Sequence, residues 1–219
     1  MISKDEHKAN IKRKFIDLTI DLVQKDGMDG VSIRKIASIA KYNSATIYLY
    51  FDNLDHLLFL ASVSCIRDYI DELLKIGNKK EDSYDKFINI WKCFIHYSFK
   101  KPRIFNHIFF VTSYQKTAQY LEEYYELYPE KVEDVDNIAY KFIFKPDLHE
   151  RVGVILKHCE EDGYFEKNDL NDITELSLFI YRGMLDKLIK GEFENESMES
   201  IEAKTLAYIE KMLHTYKKK

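Results

Sequence analysis

Apolar residues recur at intervals of three and four along most of this chain, the period of a helix with one buried face. Ile11, Phe15, Leu18 and Leu22 predict a first helix from about Asp5 to Lys25, with Gly27 placed as a C-cap. Gly30 and Val31 lead into Ser32, a suitable N-cap for a second helix that carries Ile33, Ile36, Ala37 and Ala40 on one side. A tight polar turn, Lys41 to Ser44, separates it from a third short helix over Ala45 to Phe51. Ile47 and Phe51, four apart, should point inward against Ile36 and Ala40, which leaves Ser44, Thr46, Tyr48 and Tyr50 near the outside. Two short helices joined by so small a turn outline a helix-turn-helix, whose second helix can enter the major groove of DNA. Outward hydroxyls suit phosphate oxygens or base edges, although Tyr48 could equally be a packed ring with a wet tip.

Asn53 and Asp55 open a fourth helix, expected as a single rod from Leu54 to Ile76 through Leu54, Leu58, Ala61 and Cys65 and ended by Gly77. The polar run 78–83 is a natural boundary. Tyr84, Phe87, Trp91 and Ile95 predict a helix reaching Lys101, broken by Pro102, with a short aromatic helix at Phe105, Phe109 and Phe110. Segments near 114–128 and 133–144 are bounded by Pro129 and Pro146. Leu148, Val152, Ile155 and Cys159 mark a helix ending near Gly163, and Asn168 is expected to cap the next, which runs through Ile173, Leu176, Ile180, Met184 and Leu188 to Gly191. That helix also bears Leu178, Phe179, Tyr181, Leu185 and Ile189, so it is apolar nearly all round and needs cover on two sides. Another subunit could supply one cover; so could the last helix, Met198 to Tyr216, with Leu206, Ile209, Leu213 and Tyr216.

Composition agrees with an all-α fold, since seven glycines and three prolines in 219 residues leave long uninterrupted runs of helix formers. Cys65, Cys93 and Cys159 are an odd number with no CxxC pair, which fits three reduced thiols and neither a disulfide framework nor a zinc ribbon. Cys93 and His96 share a helix face at ligand spacing but lack a second pair, and no cofactor is expected. No nucleophile with a matched base, carboxylate pair or phosphate loop stands out, so an enzyme is not indicated. The N-terminus is charged and no run of about 18 apolar residues occurs, so the expectation is a soluble, cytoplasmic protein with no membrane partner. The net charge of −4 excludes indiscriminate nucleic-acid coating. Residues 1–60 carry nine Lys and Arg against eight Asp and Glu, leaving 24 bases and 29 acids beyond, so any DNA contact must be local and N-terminal. Lys4, Lys8 and Lys12 lie along one face of the first helix, able to approach a phosphate backbone or simply solvated.

The stretch VSIRKIASIAKYNSATIYLYFDNLDHLL, above all Thr46 to Phe51 preceded by Ile33 to Ala37, resembles the DNA-binding domain of the tetracycline-repressor (TetR/AcrR) family of bacterial transcriptional regulators. The resemblance covers roughly residues 5–60 by motif and the remainder by helix number and arrangement. It implies a DNA-binding domain over 1–52, a ligand-binding and dimerisation domain over 53–219, and DNA contacts from Arg34, Lys41, Asn43, Ser44, Ala45, Thr46, Tyr48 and Tyr50. It further implies a homodimer on a roughly palindromic double-stranded operator, released by a small effector, with the fourth helix transmitting ligand state. Three residues depart from the family pattern. Lys41 replaces the usual turn glycine and requires a left-handed residue or a different turn; Ala45 replaces glycine or proline; Leu54 replaces a phosphate-contacting lysine, which predicts a shallow salt dependence.

Trp91, Phe94, Phe99, Phe105, Phe109, Tyr114, Tyr140 and Phe144, with Ile180 and Met184, are candidates to line a cavity for an apolar or amphipathic effector; aromatic residues at this spacing serve as readily as plain core. The resemblance implies a four-helix dimer interface, for which Val152, Ile155, Leu156, Cys159, Leu178, Tyr181 and Leu185 are the candidates, with Gly153 and Gly183 permitting close approach. The competing function is a helical ligand- or partner-binding protein whose helix-turn-helix has degenerated.

Overall fold

The computed structural model describes residues 4–112, 114–128 and 147–218, and every regular element among them is helical. The described residues within Met1–Arg67 and Phe110–Lys131 form one compact unit, and those within Asp68–Phe109 and Val132–Lys219 form another.

In the first unit α1 spans Lys4–Asp26, with Asp5 and Glu6 in its first turn and Lys25 in its last, matching the helix dipole at both ends. Gly27 stops it at φ 72°, and a 3-10 turn at Met28–Gly30 leads to Ser32, whose Oγ accepts from Lys35 N to cap α2, Ile33–Ala40. The buried residues of α2 are Ile33, Ile36, Ala37 and Ala40, the face expected from the spacing. Lys41 then adopts φ 60°, ψ 41°. Its N–H donates to Ser38 O and the N–H of Tyr42 to Ala37 O, satisfying two carbonyls that the helix end would otherwise strand. The turn thus keeps its left-handed residue without a glycine. Asn43 Oδ1 accepts from Ala45 N to start α3, Ser44–Ile47, and the chain winds on to Phe51 through bonds from Leu49 N to Thr46 O and from Tyr50 N and Phe51 N to Ile47 O.

The expected single rod after Asn53 is two helices. Asn53 caps α4, Leu54–Cys65, and Ile66 at φ −105°, ψ 15° interrupts the ladder before α5, Arg67–Asn78. The burial pattern explains the break. Nine of the twelve residues of α4 are buried, whereas α5 buries one stripe of Tyr69, Leu73 and Ile76. An unbroken apolar period hides that change of surroundings. The first unit is completed by α8, Tyr114–Leu127, which buries Thr117, Tyr120, Leu121, Tyr124 and Leu127 and packs against α4.

The second unit contains α5 and α6, Ser83–Lys100, capped by Asp82; then α7, Pro102–Asn106, with proline in its first turn, followed by a π-helical turn at His107–Val111. After the undescribed residues come α9, Leu148–Glu161, α10, Leu170–Ile189, and α11, Met198–Tyr216. Asn168 does not cap α10: it lies within a 3-10 turn, Lys167–Asp169, and the helix begins after Asp169. α10 packs against α6, α7, α9 and α11, so the last helix supplies one of its covers. The segment 133–144 lies outside the described residues.

A side chain in the left-handed region carries a steric cost that glycine avoids, and Lys41 is solvent-exposed. Lys41→Gly should therefore raise unfolding free energy by roughly 0.5–1 kcal/mol, after the greater flexibility of unfolded glycine is deducted. Urea denaturation of both proteins checks this; an unchanged or lower midpoint is the contrary result.

Candidate nucleic-acid interface

The helix-turn-helix is assembled around Phe15 of α1. Its fully buried ring meets Tyr42, Tyr50 and Phe51 at centroid distances of 5.3, 6.1 and 6.2 Å. Ile36, Ala40, Ile47 and Phe51 are buried with it. That leaves Arg34, Lys41, Asn43, Ala45 and Tyr48 exposed, while Ser44, Thr46 and Tyr50 are half-buried. All eight candidate DNA residues lie on α2, the turn or α3 and its continuation. Their other tasks differ: Asn43 caps α3, Lys41 closes α2, and Tyr50 packs on Phe15.

The same surface exposes residues that polarity patterns do not nominate. Leu49 is 74% exposed, beside Tyr48 at 57%, and Ile39 and Tyr42 are open as well. Large apolar groups this bare on one small domain are suited to the thymine methyl and other apolar groove contacts. Leu49 could have been found as a leucine outside the inward pair Ile47 and Phe51. Conversely, Lys12 does not project with Lys8. It is only 16% exposed, pairs with Glu123 and lies over the Phe51 ring at 5.8 Å, so it is spent inside the unit.

His56 joins this head to α8. Its Nδ1 accepts from the Asp52 N–H at 3.2 Å, which places the ring proton on Nε2, 3.0 Å from Glu123 Oε2. The buried imidazole stacks on Tyr120 at 3.9 Å with planes 4° apart, and Tyr120 donates to Asp52 Oδ2 at 3.3 Å. Burial and the Asp52 carboxylate push the Tyr120 phenol up to about 12, so it remains a donor. Arg13 Nε adds a bond to Leu127 O at 2.8 Å. For Glu123, burial alone would raise the carboxyl pKa, but the hydrogen bonds from His56 and Lys12 and the charge of Lys12 outweigh it and hold the carboxyl below its ordinary 4.5. No separate sequence motif marks this network, because its members lie some 70 to 110 positions apart in the chain.

In the second unit, Trp91, Phe94, Phe99, Phe105 and Met184 are buried, with Phe109 and Ile180 half-buried. Phe94 contacts Trp91, Phe105 and Phe109 at 5.4–6.1 Å and Tyr181 at 4.7 Å. These rings fill their own core. The crevice beside them, lined by Phe87, Trp91, Phe94, Val152 and Ile155 among others, measures about 10 Å³. Tyr114 contributes the first residue of α8, and Tyr140 and Phe144 lie outside the described residues. An open groove of about 390 Å³ lies elsewhere in the unit, between α5, α6 and α11. Of the candidate interface residues, Val152, Ile155, Leu156, Cys159, Tyr181 and Leu185 are buried within the chain and Leu178 is half-buried. Among the apolar and small residues of α10, Leu176, Phe179 and Gly183 are open. Cys65, Cys93 and Cys159 are buried thiols outside any disulfide, and among the described residues no three His, Cys, Asp or Glu are grouped to hold a metal ion. No described helix is long and apolar enough to cross a membrane.

A short helix projected from a buried aromatic base, with its outer face open, defines a helix-turn-helix domain. Residues 15–61 match the model of the bacterial regulatory proteins of the tetR family. The chain is 28% identical over 71 residues to the HTH-type nicotine-responsive transcriptional repressor HdnoR of Paenarthrobacter nicotinovorans, an alignment covering 32% of this chain and 37% of that protein. It is 24% identical over 101 residues to an HTH-type transcriptional regulator of Haemophilus influenzae, covering 46% and 54%. The chain thus spans about a third to a half of the length of these curated relatives. The crystal structure of a TetR transcription regulator from Haloarcula marismortui shares the fold, with a TM-score of 0.58, 14% identity and coverage of 95% of this chain and 99% of that one.

Because Glu123 has a depressed folded pKa, its contribution to stability is present above the ordinary value near 4.5 and is lost as pH falls through the lower folded value. Glu123→Gln should be less stable than the parent at pH 6, and the gap should close below pH 4.5. Chemical denaturation across this range checks the sign, and a gap that widens on acidification would contradict it.

Proposed function

We propose that this protein is a ligand-responsive transcriptional regulator, most simply a repressor, that binds a roughly palindromic double-stranded DNA operator as a homodimer in the cytoplasm. Residues 1–52 read DNA and 53–219 receive the effector and form the dimer. The observation that supports this reading best is the bare Tyr48–Leu49 surface on a helix whose other side is anchored by Ile47 and Phe51. Such a surface has no use inside the protein, yet its orientation is fixed. Tyr48, Ser44 and Thr46 offer hydroxyls to the backbone or bases, Arg34 offers a guanidinium from α2, and Leu49 offers apolar contact. With Lys12 occupied by Glu123 and Leu54 in the place of a lysine, few cations face phosphate, so log affinity should fall gently with log salt.

The dimer forms through the outer face of α10. Leu176, Phe179 and Gly183 are three and four positions apart, Phe179 is 66% exposed, and nothing lies within 4 Å of a Cβ built at Gly183. A second copy laid along this face would bury the phenyl ring and approach closely at the glycine. Two such subunits present two reading helices, so operator half-sites should lie about one helical turn or somewhat more apart. An effector acts by binding one arrangement of the two heads better than the other.

Selection from random duplex DNA should enrich a palindrome; no enrichment favours a helical binding protein with a degenerate helix-turn-helix. Tyr48→Ala and Arg34→Ala should each weaken operator binding by about 1–3 kcal/mol while the proteins stay folded. Unchanged affinity removes the residue concerned from the interface. Light scattering at micromolar concentration should show a dimer for the parent and a monomer for Phe179→Asp; a parent monomer, or a dimeric variant, sinks the proposed face.

A further inference from the structure

Residues 42–51, which hold the end of the turn, α3 and its continuation, include no Lys, Arg, Asp, Glu, His or Gln. In the major groove guanine is read through a fork of two donors and adenine through a paired donor and acceptor, tasks that fall to Arg, Lys, Asn and Gln. Asn43 is the one such residue in this stretch, and its Oδ1 is taken by the N–H of Ala45 at 3.0 Å as the cap of α3. The hydroxyls of Ser44, Thr46 and Tyr48 both donate and accept, so they fit the edge of any base pair and separate bases poorly. The reading helix is thus short of the chemistry that singles out a purine.

It presents instead two apolar groups one turn apart. Ala45 is exposed, and Leu49, four residues on, is 74% exposed. Leu49 is fixed in place all the same. Its N–H donates to Thr46 O at 3.2 Å, the N–H groups of Tyr50 and Phe51 both reach Ile47 O at 3.0 Å, and buried Ile47 and Phe51 anchor the backbone on either side. Tyr42, the nearest other open ring, is engaged by Phe15 at 5.3 Å and by Lys14 Nζ at 5.0 Å. About 6 Å of helix separates Ala45 from Leu49, against roughly 3.4 Å per base step, so both reach the same few base pairs. The apolar group on the major-groove edge of a base pair is the C5 methyl of thymine.

We infer that Leu49, with Ala45 one turn behind it, selects operator bases by the thymine methyl, so that thymines define each half-site and any guanine is specified from α2 by Arg34. The inference deepens the regulator reading proposed above and rests on it: it names the chemical group that the outward face of α3 recognises. A methyl is read without a hydrogen bond. Its removal leaves base pairing and backbone charge intact and forfeits only its burial, about fourfold in affinity.

Selection from random duplex DNA with the full chain supplies the operator. The probes are that duplex with each thymine position replaced in turn by deoxyuridine, in both half-sites together, which removes one methyl per half-site. At least one position should weaken binding roughly fifteenfold, a factor of about four from each half-site. Leu49→Ala should cut that penalty to under about threefold, whereas Leu49→Met, which keeps an apolar tip of similar reach, should retain it. A loss of less than about twofold at every position, a full penalty kept by Leu49→Ala, or half-sites fixed at G·C pairs alone overturns the inference. Each of these results comes with an enriched palindrome and so leaves the regulator standing. Without an enriched palindrome the regulator falls, and the methyl reading with it.

Discussion

A helix of four residues cannot hold itself together in water, because nucleation costs more than its few hydrogen bonds return. The orientation of Ser44–Ile47 must therefore be imposed from outside, and Phe15 imposes it. One buried ring from α1 contacts Tyr42 before the short helix and Tyr50 and Phe51 after it, while Ile47 fills the space beneath. The whole outer surface of the head inherits its direction from this contact. Residues that look like binding groups are free to be so because others, close by in sequence, carry the packing.

The second constraint is that the head is not closed by its own N-terminal sequence. α8 returns to the first unit, and His56 meets it with both ring nitrogens engaged, one by Asp52 N–H and one by Glu123. Since Asp52 immediately follows Phe51, two hydrogen bonds through His56 link α8 to the end of the segment that continues α3. Lys12 is drawn into the same arrangement, which is why a lysine that fits a phosphate-facing stripe in sequence is internal in structure.

What the chain discloses before folding follows from how local the cause is. Caps at Ser32, Asn43, Asn53 and Asp82 and the inward pair Ile47 and Phe51 are decided within a few residues, and the local sequence carries them. The break at Ile66 was hidden because α4 and α5 share an apolar period although one is buried nearly all round and the other on one stripe. Spacing likewise cannot separate a cavity wall from a packed core, so the rings around Phe94 read the same in either role. On α10 the periodic apolar residues such as Tyr181 and Leu185 are inside, and Phe179, between their turns, is left bare with Leu176. The His56 network depends on residues brought from distant elements and has no signature in sequence order.

Leu49 and Ile39 have a thermodynamic consequence. Surface that is apolar and hydrated in the free protein releases its water when covered, and that release carries a negative heat-capacity change. A head whose contact relies on Leu49, Ile39 and Tyr48 will associate with an enthalpy that changes steeply with temperature, and its affinity will pass through a maximum instead of rising steadily on cooling. Under the proposed function, two regulators with equal operator affinity at one temperature, one gripping by charge and the other by apolar surface, would part company as the cell warmed or cooled.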